Sequence, residues 1–132
     1  KKYNFKNLTT NILIPTALAI VFSYYFFGKK LIEIIAGNGF ENSYIPMLIL
    51  LVGYMSYYLT FWTRHFLLLN NLILKHTMGR IVNLIIFMIT SPFLISNYGY
   101  NGIALAISLS ILIQKSYELF VYFTNKNIEN NI

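Results

Sequence analysis

The chain has 132 residues, of which 57% are hydrophobic, 17% aromatic and only 11% charged. A water-soluble domain carries about 25% charged residues, so this chain has too few to cover a surface facing water and reads as a membrane protein. Its net charge of +6 does not point to nucleic acid, because the basic residues cluster beside long apolar runs and form no stripe, and the lack of cysteine excludes a disulfide frame or a cysteine-based metal site.

The first stretch, KKYNFKNLTTN, is too polar for the apolar region of a signal peptide. Because residue 1 is lysine, the sequence is expected to be processed or part of something longer. Charges then divide the chain: segments 8–27, 44–63, 79–96 and 101–123 are apolar nearly all round, with no polar stripe of helical period. Each approaches the roughly 20 residues that a bilayer core about 30 Å thick requires at about 1.5 Å per residue. The expected fold class is all-α: one membrane domain over residues 1–132, an integral bundle of about four transmembrane helices near 8–36, 43–70, 77–96 and 101–124.

Between the first two spans, GKKLIEIIAGNGFENS is predicted to extend the first helix or lie on the membrane surface, with Gly37 and Gly39 reversing the chain. The link FLLLNNLILKHTMG is predicted to lie at the cytoplasmic interface as a helix extension. The third span is short; like Pro15 and Pro46, Pro92 is placed near a predicted end, where proline is tolerated, with a hinge as the alternative at Pro92. SNYGYNG is a turn, and the tail NKNIENNI reads as unstructured.

Orientation follows from the basic residues. With Lys1, Lys2 and Lys6 inside, Arg64, Lys75, Arg80, Lys115 and Lys126 are also inside, and Lys29 and Lys30 are outside. Both termini are therefore expected in the cytoplasm. Tyr24, Tyr25, Tyr44, Tyr98 and Tyr100 gather at the outer edge, and Tyr57, Tyr58, Trp62 and Tyr122 at the inner one, depths that suit a ring with a polar tip.

In the fourth span Gly102, Ala106 and Ser110 recur every fourth residue and form one ridge; Ala104 and Ser108 form a second, roughly opposite. Apolar burial does not drive association in lipid, whereas close backbone approach through small side chains does. The fourth helix is thus expected inside the bundle, packed on two sides.

The order of these features resembles the polysaccharide flippases of the multidrug/oligosaccharidyl-lipid/polysaccharide exporter superfamily, the transporters of O-antigen and lipid-linked oligosaccharides. A helix ends in FFGKKLIEIIAGNGFENSY, where Gly37-Asn38-Gly39-Phe40 matches the family's Gly-x-x-Phe/Tyr turn. A third helix ends in proline and NYG, and NGIALAISLS opens the fourth. Tyr98 to Ala106 follow the family's Tyr-Gly-x-x-Gly-Ala-Ala-Ile-Ala pattern, except at Ile103 and Leu105.

The resemblance implies one part of a transporter of about twelve helices in two lobes, most like its last four, with the N-terminal lobe as a partner. It implies flipping of an undecaprenyl-diphosphate-linked oligosaccharide across the bacterial cytoplasmic (inner) membrane by ion-coupled alternating access, in contact with membrane lipids and polysaccharide polymerase machinery. It implies no enzyme activity, no cofactor and no nucleic acid.

The residues offer candidates for such a task. Arg64, Lys75, Arg80 and Lys115 are candidate binders of the diphosphate; alternatively the first three fix topology. Glu118, three residues after Lys115, is the candidate coupling residue, or else completes a snorkelling ion pair. Asn83 and Gln114 bond across helices or face a wet cavity. His65 and His76 have no nearby carboxylates in sequence, so no metal site is expected. Two rival readings remain open: a self-contained small four-helix transporter, which would want a carboxylate midway through its first helix, and a non-transporting membrane subunit.

Overall fold

The structure is a computed structural model and describes residues 9–129; Lys1, Lys2 and Lys6 lie outside the described residues, as does the end of the tail. Among the described residues it is all helix. A π-helical turn, Thr9–Leu13, leads into α1 (Ile14–Ala36); a 3-10 turn, Glu41–Ser43, leads into α2 (Tyr44–Leu59). Then follow α3 (Phe61–Leu69), α4 (Ile73–Tyr98) and α5 (Tyr100–Glu129). These make four helical stretches long and apolar enough to cross a membrane: Asn11–Ala36, Glu41–Leu69, Ile73–Tyr98 and Tyr100–Asn125. The chain is thus a multi-pass membrane protein, and large apolar side chains, among them Phe22, Phe26, Ile34, Met88 and Ile89, are exposed on its surface.

Two antiparallel hairpins meet side by side. The first, α1 with α2, is joined through Gly37 (φ 88°) and Gly39 (φ 109°); both φ values lie in the region open to glycine. LIEII continues α1 to Ala36 and does not turn off along the surface. At the hairpin's closed end the rings of Tyr24 and Tyr44 stack with centroids 5.5 Å apart, and Tyr44 Oη donates to the Tyr25 carbonyl at 3.1 Å. Near its open end Thr16 Oγ1 and Tyr58 Oη share a hydrogen bond of 2.8 Å.

The second hairpin, α4 with α5, turns on the single residue Gly99 (φ 57°). The turn is that tight because Gly102 has no side chain: a Cβ there would overlap the Leu94 carbonyl.

The hairpins join through α2 and α5, which run parallel. Ser108 Oγ donates to the Ile49 carbonyl at 2.8 Å, and a Cβ on Gly53 would come within 2.8 Å of Ser108 Cα. Gly102, Ala104, Ala106, Ser108 and Ser110 are all buried, with Gly102 against α4 and Ser108 against α2. Helix α5 is therefore flanked by α2 and α4, and α1 packs chiefly on α2.

Three boundaries differ from the sequence reading. The third span begins at Ile73, four residues before the predicted 77, and runs to Tyr98. The link is only Asn70–Leu72, where Asn71 adopts φ 57°, a conformation asparagine tolerates; ILKH is then free to start a helix. Pro92 consequently lies inside α4, six residues before its end, and is not a terminal proline. Helix α5 continues through Glu129, so NKNIE belongs to the helix; no glycine or proline stops it there.

The second span is broken at Thr60, with φ −115° and ψ 18°. Three hydroxyls compete for backbone carbonyls at this point: Ser56 Oγ donates to Gly53 O (2.6 Å), Thr60 Oγ1 to Ser56 O (2.6 Å) and Thr63 Oγ1 to Thr60 O (2.7 Å). Such back-bonding bends helices. Here it turns α3 so that Thr63 is buried against α5.

Candidate functional site: a buried ionic node

Helix α5 carries Gln114, Lys115 and Glu118 on one face, and all three are buried, with Glu118 fully so. Lys115 lies about 22 Å along the helix from Tyr100, within the hydrocarbon depth and nearer the end formed by α3 and the start of α4. A charge at that depth persists only if paired and hydrogen-bonded. Lys115 Nζ donates to Glu118 Oε2 at 2.7 Å and stands 3.8 Å from the centroid of the Tyr57 ring. A desolvated cation over an aromatic face gains about 2 kcal/mol.

The remaining partners of Glu118 come from two helices and from α5 itself. Gln114 Nε2, one turn back, donates to Oε1 at 2.9 Å. Thr63 Oγ1 of α3 stands 3.2 Å from Oε2, and its single proton serves either that oxygen or the Thr60 carbonyl. His76 of α4 places Nδ1 3.2 Å from Oε1, out of line for a hydrogen bond.

The chain of bonds continues outward through Gln114 Oε1, which accepts from Asn83 Nδ2 of α4 at 2.8 Å and from Tyr57 Oη of α2 at 3.3 Å. Gly79, between His76 and Asn83, admits this close approach: a Cβ there would meet the Tyr117 ring at 3.3 Å and Gln114 Cγ at 3.7 Å. The node thus draws on α2, α3, α4 and α5.

On one side it adjoins a groove of about 360 Å³, lined by Tyr54 and Tyr57 of α2, Asn83 and Phe87 of α4, and Ile107, Ser110 and Ile111 of α5. Tyr57 and Asn83 belong to both groove and node. On another side Trp62, Phe66 and Tyr122 close it, with Phe66 and Trp62 set edge-on to the Tyr122 ring at 4.6 and 4.7 Å, and Leu13 packs into the same cluster.

The sequence candidates separate into two groups. Lys115 and Glu118 come together at the centre. Arg64 and Arg80 are exposed, and Lys75 is half-buried with Nζ 3.4 Å from Asn125 Oδ1; none of these three enters the node, so the four basic candidates do not form one cluster. Asn83 and Gln114 do bond across helices.

Thr63, Tyr57 and His76 were not among the sequence's candidates. The available signal was register: His76 and Asn83 are seven apart on α4, and Gln114 and Glu118 are four apart on α5, so each pair shares a helix face. Among the described residues no group of three potential metal ligands exists. Comparison of the chain with models of known protein families, with curated proteins and with solved structures finds no match.

Proposed function

We propose that the chain is part of a flippase of the bacterial cytoplasmic membrane that moves a diphosphate-linked, lipid-anchored oligosaccharide from one leaflet to the other. The observation that carries this reading is the groove between α2 and α4, whose wall residues Tyr57 and Asn83 hydrogen-bond to Gln114, which in turn donates to Glu118 of a buried Lys115–Glu118 pair. Ionisable side chains kept inside hydrocarbon are expensive and belong by default to transport paths and relays. The exposed Arg64 and Arg80 stand at the same end of the bundle and suit an arriving diphosphate. No bond is made or broken in such a step, so the task needs a cationic approach, a polar recess and an apolar flank for the lipid. The N-terminal lobe and the polysaccharide polymerase machinery are the proposed partners.

The test is translocation in liposomes by the protein that contains this chain, with a lipid-linked oligosaccharide followed by its loss of access to a glycosidase outside. Movement should slow at least about tenfold in Glu118→Gln, a loss equivalent to about 1.4 kcal/mol of barrier. No movement by the unaltered protein would end this reading.

A second reading, a self-contained small four-helix transporter, draws on one observation: among the described residues, Lys115 and Glu118 find their hydrogen-bonding partners on α3 and α5. Ion flux through the chain reconstituted alone would favour it over the first.

A further inference from the structure

One buried titratable side chain has no part in the transport reading. His76 is 7% exposed, and neither ring nitrogen has a hydrogen-bond partner among the described residues, although Nδ1 is 3.2 Å from Glu118 Oε1. The titratable and charged groups facing it are Glu118 and Lys115 of α5, Arg64 of α3 and Arg80 of its own helix, with the Tyr117 phenol packed beside Gly79 a turn further along α4.

The charges of the node can be counted. With His76 neutral, one ammonium balances one carboxylate. A proton on His76 gives two cations and a single carboxylate, and an uncompensated charge is strongly disfavoured at this depth. Glu118 offers a different oxygen to each cation: Oε2 is held by Lys115 and Oε1 faces the imidazole. Nδ1 is already 3.2 Å from Oε1, within hydrogen-bond distance for an imidazolium N–H turned toward it. The Lys115 ammonium stands over the ring of Tyr57, which lines the groove, so the groove past that ring is its alternative surroundings.

We propose that His76 is a proton-binding site that competes with Lys115 for Glu118, so that proton uptake at the imidazole releases the ammonium toward the groove between α2 and α4. This goes beyond the transport reading and needs only the node.

The experiment is NMR on the full chain in lipid nanodiscs, with labelled histidine ring, lysine ammonium and glutamate carboxyl groups. The chain has two histidines, and the His65→Gln variant assigns the His76 ring signal. Between about pH 5 and about pH 8, the His76 ring should change protonation, and the Lys115 and Glu118 signals should move with the same midpoint. In His76→Gln those two signals should stay flat over that range. A His76 ring that keeps one protonation state over that range overturns the proposal, as does a His76 titration that leaves Lys115 unmoved. The comparison within the unaltered chain decides the matter even where the variant does not fold. Concerted titration in a protein that moves no lipid-linked sugar would leave the proton site standing and remove the flippase reading alone.

Discussion

At the scale of single residues, Glu118 organises everything around it. Its two oxygens face Lys115, Gln114, Thr63 and His76, so removing its charge strands an ammonium in a dry interior. Breaking one member of a buried ion pair costs about 3–5 kcal/mol, whereas replacing both by apolar groups is often neutral. Glu118→Gln should therefore destabilise the bundle by about that amount, while Lys115→Met combined with Glu118→Met should recover most of it. Denaturant unfolding followed by the fluorescence of Trp62, which packs against Tyr122, measures both. Equal loss in the single and the double variant would show that Lys115 draws its stability from Tyr57 and not from the carboxylate. Lys115 and Glu118 were visible in the sequence because they interrupt an uncharged run. His76 was not, because its neighbours Lys75 and Thr77 are polar and its burial depends on α4 starting as early as Ile73.

At the scale of elements, the close approaches are made where a side chain is missing. Gly53 lets α2 meet α5 at Ser108, and Gly102 lets α5 fold back on α4 at Leu94. A valine at position 53 meets backbone that is fixed by the Ser108–Ile49 hydrogen bond. Gly53→Val should thus cost about 1–3 kcal/mol, the usual penalty of overpacking, read as a lower midpoint of thermal unfolding in detergent; an unchanged midpoint would place the contact elsewhere. Gly102→Ala should destabilise at least as much, because the obstacle is a backbone carbonyl with no rotamer to give way; thermal unfolding in detergent reads it. The repeat of small residues in α5 was legible from spacing alone, since residues four apart share a face. Which neighbour each would meet was not. The break at Thr60 was equally hidden, because hydroxyl back-bonding is optional in any helix and becomes decisive only when Thr63 has a carboxylate to face.

For the whole molecule, four spans form two hairpins side by side, and the node sits where α2, α3, α4 and α5 converge. An even number of spans puts both ends of the described chain on one side of the membrane. The bias of basic residues predicts that this side is the cytoplasm, and the chain has no cysteine of its own to confuse labelling. A cysteine at the exposed Asn38 should react with an impermeant thiol reagent added outside intact cells, and one at the exposed Asn70 should react only after the membrane is opened. The reverse pattern would invert the orientation and place Arg64 and Arg80 on the outer face.

The sequence by itself determined the solvent, the number of crossings and the helical content, because these depend on the length and charge of each segment, properties the chain carries locally. It also determined that Lys115 and Glu118 form a pair, since three residues on a helix suffice to bring them together. The tertiary structure decided what surrounds that pair: His76 from α4 and Thr63 from α3 reach Glu118 from 42 and 55 positions away in the sequence, and Tyr57 from α2 reaches Lys115 from 58. Contacts at such separations are set by how helices pack and where they bend, and neither is encoded in the polarity of any one segment.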